Sequence, residues 1–167
     1  SALTVVIPDA SRPEVVAERE RLSEVTHGSR WAGIARLATA SHLGEVGAAI
    51  QEHIESQGTY GILRDYVGHG IGRKMHEPPT VFNYATGERE ADVRPGLVVA
   101  IEPMVVAGDQ ATFVEDDDWT VTTIDGSAGS HWEHSVAVHD GGIWVLTAHD
   151  GGAAGLAPFG VVPVPIP

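Results

Sequence analysis

The stretch Gly68-His69-Gly70-Ile71-Gly72-Arg73-Lys74-Met75-His76-Glu77-Pro78-Pro79 places two histidines in one short segment, with glycine on both sides of the first. Glycines at 68, 70 and 72 permit close backbone approach and positive φ, so His69 is expected on a tight loop that aims its imidazole into a cavity. The plainer alternative is a glycine turn carrying one exposed and one packed histidine. Prolines after Glu77 forbid the helix on which a His-Glu-x-x-His zinc site is built. From Ile62 onward the texture is β. Pro95-Gly96 is a turn signal, and Leu97 to Ile101 is an unbroken apolar run, as expected of a strand covered on both faces. Trp119 to Ile124 is a further strand candidate. Ser135 to His139 and Ile143 to Thr147 flank Asp140-Gly141-Gly142 as a hairpin.

Upstream of this region the pattern is helical. Ser11, with Glu14 three positions on and Pro13 between them, reads as a capping box opening an amphipathic helix that runs to Leu37 through Val15, Leu22, Val25 and Ala32. Leu43, Val46, Ile50 and Ile54 mark a second helix, with Gly58 as its stop in the left-handed C′ conformation. Thr4 to Ile7 is a β-branched run ended by Pro8, a strand that needs a partner from elsewhere. Two helices ahead of a mainly antiparallel sheet give an α+β plan. Ala153 to Pro167 is uncharged and rich in proline and glycine, and is expected to be a solvated, partly polyproline tail. The expected organisation is a domain over 1–148 and a tail over 149–167.

Composition narrows the chemistry. The 167 residues suit one domain, and 10 basic against 23 acidic residues leave a formal charge of −13, which repels nucleic acid and anionic membrane. With no cysteine, disulfides and thiolate metal sites are excluded, and any metal falls to His, Asp and Glu. No apolar run approaches the ~20 residues of a membrane span, and Ser1 to Pro8 does not read as a signal peptide, so cytoplasm is the expected location. No serine stands at the centre of a Gly-x-Ser-x-Gly elbow. The acidic run Glu115 to Asp118 lacks the alternating ligands of a calcium loop and reads as a solvated turn.

Two carboxylates stand out by position. Glu102 follows the apolar run and precedes Pro103, where an unpaired charge is costly and needs a cation or a proton. Glu133 lies between Trp132 and the alternation Val136, Val138. Each alone could be a solvated strand-end glutamate. Together with His69 they form an oxygen-rich donor set suited to Mn, Fe, Co or Zn in a hydrolytic site.

These segments, taken in order, resemble the successive motifs of type I methionine aminopeptidases of the M24 peptidase family: Gly68-His69-Gly70-Ile71-Gly72 with His76-Glu77-Pro78, Ile101-Glu102-Pro103-Met104, Trp119-Thr120-Val121-Thr122, and Glu133-His134-Ser135. The related proline-specific peptidases share the Gly-His-Gly loop but typically carry Glu-Pro-Gly where this chain has Glu-Pro-Met. The resemblance runs from Ser1 to about Thr147 and implies the C-terminal half of a pita-bread fold, two helices packed on a curved, mainly antiparallel sheet. It implies removal of the N-terminal methionine from nascent proteins by a site holding two divalent metals. Within that site it assigns His69, Glu102 and Glu133 as metal ligands, Glu102 as proton acceptor and His76 as the group contacting the scissile peptide. Trp119 and Met75 would line the methionine pocket, with Met75 in place of a more usual Phe.

The resemblance also implies an incomplete ligand set. The family's two aspartate ligands precede the strand resembled by Ser1 to Ile7, and Asp9, Asp65 and Asp92 do not stand in the corresponding contexts. At most one weakly held metal is therefore expected, with a complementing N-terminal half as a partner and apolar surface left uncovered. The alternative is an inert remnant acting as a binding or scaffold module, or a proline-specific peptidase of the same fold.

Overall fold

The first helix owes its length to a stripe of small and apolar residues on one face. In a computed structural model describing all residues 1–167, α1 spans Pro13–Leu37 and buries Leu22, Thr26, Ser29, Gly33 and Leu37 along that stripe. Two of its buried hydroxyls are satisfied within the helix: Thr26 Oγ1 donates to the Leu22 carbonyl at 2.8 Å and Ser29 Oγ to that of Thr26 at 2.9 Å. Helix α2, Gly44–Gln57, buries Val46, Ile50 and Ile54. The two helices meet at Gly33, where a Cβ would lie 2.7 Å from Ile50 Cγ1, so glycine is what lets them close.

The helix ends differ from expectation. Ser11 does not cap α1; the N-cap is Arg12, with no side-chain hydrogen bond. Asp9 takes over, its Oδ1 accepting from the Ser11 N–H at 3.0 Å and the Ser11 hydroxyl at 2.6 Å. A carboxylate is the stronger acceptor, so it captures the hydroxyl that a capping box would have used. Gly58 does end α2 with a positive φ of 145°, but with ψ −159° it lies outside the left-handed helical region.

Five antiparallel strands form the main sheet, in the order β10-β9-β4-β2-β3: Gly142–Val145, His134–His139, Val98–Ile101, Gly68–Gly70 and Glu77–Val81. A three-stranded sheet joins β1 (Gly61–Ile62), β5 (Met104–Val106) and β8 (Gly129–His131), and a hairpin joins β6 (Thr112–Val114) to β7 (Val121–Thr123). The helices cover one face of this β layer: Val99, Ile101 and Val136 join Ile34, Ile50 and Leu22 in one core. The fold is α+β, as expected, and the Ser135–His139 hairpin with Ile143 forms as expected.

The strand expected over Thr4–Ile7 does not form. Only Ala2 pairs, with Glu133, across an isolated bridge. The Thr4 hydroxyl occupies the rung instead, donating to the His131 carbonyl at 2.9 Å and accepting from its N–H at 2.9 Å. The segment nevertheless alternates like a strand, with Leu3, Val5 and Ile7 exposed and Ala2, Thr4 and Val6 half-buried. The expected uncovered apolar surface is this row of odd-numbered residues. The Trp119–Ile124 strand shrinks to β7, and the acidic run is the exposed turn before it, with Asp117 accepting from the N–H groups of Trp119 and Thr120.

The C-terminal segment is not a solvated tail. Ala153–Leu156 forms a short helix, α3, followed by a 3-10 turn at Ala157–Phe159, and Leu156 is wholly buried in the core. Val164 then donates its N–H to the Ile143 carbonyl at 2.9 Å, and His139 Nε2 meets the Val164 carbonyl at 2.9 Å. Its prolines block a long helix, as expected, but Leu156 supplies the apolar anchor that outweighs them.

Candidate active site

The site is created by a break in a continuous ladder. Strands β4 and β9 pair down to Ile101 opposite His134, and the same register resumes in β5 and β8 with Met104 opposite His131. Pro103 has no N–H to give the rung between, so only half of that rung survives, the Trp132 N–H donating to the Pro103 carbonyl at 3.4 Å, and the ladder is interrupted there. The break leaves Glu102 and Glu133 at facing positions of the register. Residues that face each other across antiparallel strands project to one side, as do residues two apart, so His131 shares that side with both glutamates.

His69 reaches the same side from β2 and not from a loop, a correction to the sequence expectation. Its flanking glycines serve close approach: a Cβ on Gly68 would lie 2.3 Å from the Ala100 carbonyl oxygen, and one on Gly70 2.3 Å from that of Pro78. Side chains there would push β2 away from β4 and β3 and withdraw the imidazole.

Glu102 is 9 % exposed. His69 Nε2 stands 3.3 Å from its Oε1, and His131 Nε2 stands 3.4 Å from its Oε2. Neither contact is aligned as a hydrogen bond, and His131 Nε2 is buried without a partner. The His69 Nδ1 lies 3.0 Å from the Gly70 carbonyl, which requires a proton on Nδ1 and points Nε2 at the carboxylate. The ring of His76 packs on that of His69 at 4.3 Å between centroids.

The predicted residues are thus unevenly assembled. His69, Glu102 and His76 come together, and Glu133 lies opposite Glu102 in register. Trp119, 86 % exposed, lines a cleft of about 620 Å³ together with Tyr66, Met104, Val121 and His131. Met75 is 72 % exposed and does not line that cleft. His131 escaped the sequence reading, although its spacing of two from Glu133 on an extended segment was the available signal. Asn83, buried beside Glu102, gave no signal at all.

For a divalent cation the donors fit in kind: two imidazole Nε2 atoms, one of them buried and unpaired, bracket a buried carboxylate. They do not fit in number, because no group of three or more His, Asp or Glu side chains is arranged to hold an ion.

A second polar cluster lies around α1 and the start of β9. Arg30 is buried between the rings of Trp31 and Trp132, with its guanidinium carbon 4.8 and 5.1 Å from their centroids. Burial lowers the pKa of His134 to about 4, assisted by the charge of Arg30, and lowers that of His27 by the same two causes. The folded values lie below the unfolded 6.5, so the unfolded chain takes up protons first as pH falls. Stability is accordingly expected to be complete above pH ~6.5 and to decline toward pH ~4. Urea midpoints measured at pH 7.5, 5.5 and 4.5 check this, and a midpoint flat across that range would contradict it.

The model of metallopeptidase family M24 matches residues 1–140. The chain belongs to this family. The methionine aminopeptidase of Clostridium acetobutylicum is 43% identical over 134 residues, covering 80% of this chain and 53% of the relative. Methionine aminopeptidase 1 of Bacillus subtilis is 37% identical over 128 residues, covering 77% and 51%. The crystal structure of methionine aminopeptidase from Thermotoga maritima superposes with a TM-score of 0.74 at 39% identity, over 79% of this chain and 53% of that one. The chain spans about half the length of the curated relatives it matches. Its architecture is that of a portion of the M24 pita-bread fold, and the M24 family is one of metallopeptidases. No helix is long and apolar enough to cross a membrane.

Proposed function

We propose that this M24 chain is the C-terminal, carboxylate-bearing portion of a methionine aminopeptidase that removes N-terminal methionine from nascent proteins in the cytoplasm. The observation that carries the reading is Glu102, buried at the ladder break and bracketed by His69 and His131 at the side of an open cleft. In this reading Glu102 accepts the proton of the attacking water, with an imidazole Nε2 facing each of its oxygens. His76 contacts the scissile carbonyl, and the cleft bounded by Tyr66, Met104 and Trp119 takes the methionine side chain. His69, Glu102 and Glu133 are this chain's contribution to the divalent metal set of the family, be the ion Co, Mn, Fe or Zn. The remaining donors belong to residues outside these 167, supplied as a complementing N-terminal portion.

The test is release of free methionine from a short peptide beginning Met-Gly, with Mn²⁺ or Co²⁺ present. We expect little or no release by the chain alone and release after mixing with the N-terminal half of the Clostridium relative. No release in either case would defeat the reading. A second reading, an inert pita-bread module that binds without catalysis, is favoured by the lack of a three-donor group. Complemented release would exclude it.

A further inference from the structure

We propose that Asn83 is a positioning residue that ties the backbone of Glu102 to the wall of the cleft. The geometry stands by itself, while the consequence for catalysis rests on the aminopeptidase reading. Asn83 follows β3 and is wholly buried. Its Nδ2 donates to the Tyr66 carbonyl at 3.0 Å and to the Glu102 carbonyl at 3.3 Å. Neither carbonyl is taken by a backbone N–H, because Glu102 lies at the ladder break and Tyr66 in the segment before β2.

Facing two acceptors, the amide has only one sensible orientation, nitrogen toward the carbonyls. Its Oδ1 is then left buried without a partner. That arrangement points to a side chain held for what its donors do. A hydroxyl could serve one carbonyl but not both, and a carboxyl has at most one proton to offer. Tyr66 and His131 line the same cleft, and His131 also flanks the Glu102 carboxylate, so one amide sets the height of the carboxylate relative to the cleft wall. Errors of about an ångström at such a distance are worth up to roughly a hundredfold in rate.

The experiment compares wild type with Asn83→Ser, which keeps one donor, Asn83→Ala, which keeps none, and Asn83→Asp, which keeps the volume. Two readouts are taken at fixed pH on folded samples: the ring resonances of His69 and His131 in the chain, and kcat and KM for methionine release in the complemented protein. We expect both rings to shift in Asn83→Ala and Asn83→Asp while those of His53 and His139 stay in place. We expect kcat to fall about ten- to a hundredfold, with KM changed by much less and Asn83→Ser intermediate. Unmoved site rings, or a loss of activity that follows only the loss of folded protein, would overturn the proposal. If complemented wild type releases no methionine, the aminopeptidase reading fails, and the ring resonances still decide the role of Asn83.

Discussion

Glu102→Gln is expected to lower methionine release by the complemented protein by roughly two to four orders of magnitude, the usual contribution of a positioned base. The substitution is close to isosteric, so the packing around a side chain only 9 % exposed is retained. It removes the charge that His69 and His131 face at 3.3 and 3.4 Å, and with it the proton acceptor. Stability should not suffer, because a buried carboxylate without a hydrogen-bonded donor is replaced by a neutral amide. Peptide assays together with thermal unfolding check this. Activity within a few-fold of wild type would remove Glu102 from the chemistry, and collapse of the fold would show that its role is structural.

The second large effect is expected at Leu156. Its side chain is wholly buried in the core that holds Leu22, Ile34 and Ile143. Leu156→Ala should destabilise the chain by about 2–5 kcal/mol, the cost of the lost transfer free energy and the cavity left behind. Chemical denaturation measures it. A change below about 1 kcal/mol, the range of surface substitutions, would mean that the C-terminal segment does not stay docked.

What the sequence disclosed follows the physics of each signal. The run Leu97–Ile101 and the repeats Val46, Ile50 and Ile54 were legible because burial on a strand or a helix imposes its own period. The breakage of the ladder at Pro103 was half-legible: the proline announces a stop, yet only the resumed register at Met104 and His131 reveals that Glu102 faces Glu133. The sequence points His69 to a loop where the structure has β2, because glycines that allow a turn look the same as glycines that let strands approach. The capture of Ser11 by Asp9 and the Thr4 hydroxyl in place of a strand rung turn on which of several neighbouring polar groups wins a hydrogen bond. The docking of the C-terminal segment was hidden because one buried leucine among prolines carries no periodicity. Asn83 was invisible for a related reason, since its partners lie 17 and 19 residues away along the chain.

In the proposed reading this chain carries one side of a metallopeptidase site, with His69, Glu102 and His131 on a single sheet face and too few donors to complete it. Calorimetric titration of the isolated, folded chain with Mn²⁺, Co²⁺ or Zn²⁺ tests this most directly. At most one ion per chain is expected, weakly held and lost on replacing His69 with alanine. Two tightly bound ions per chain would contradict it.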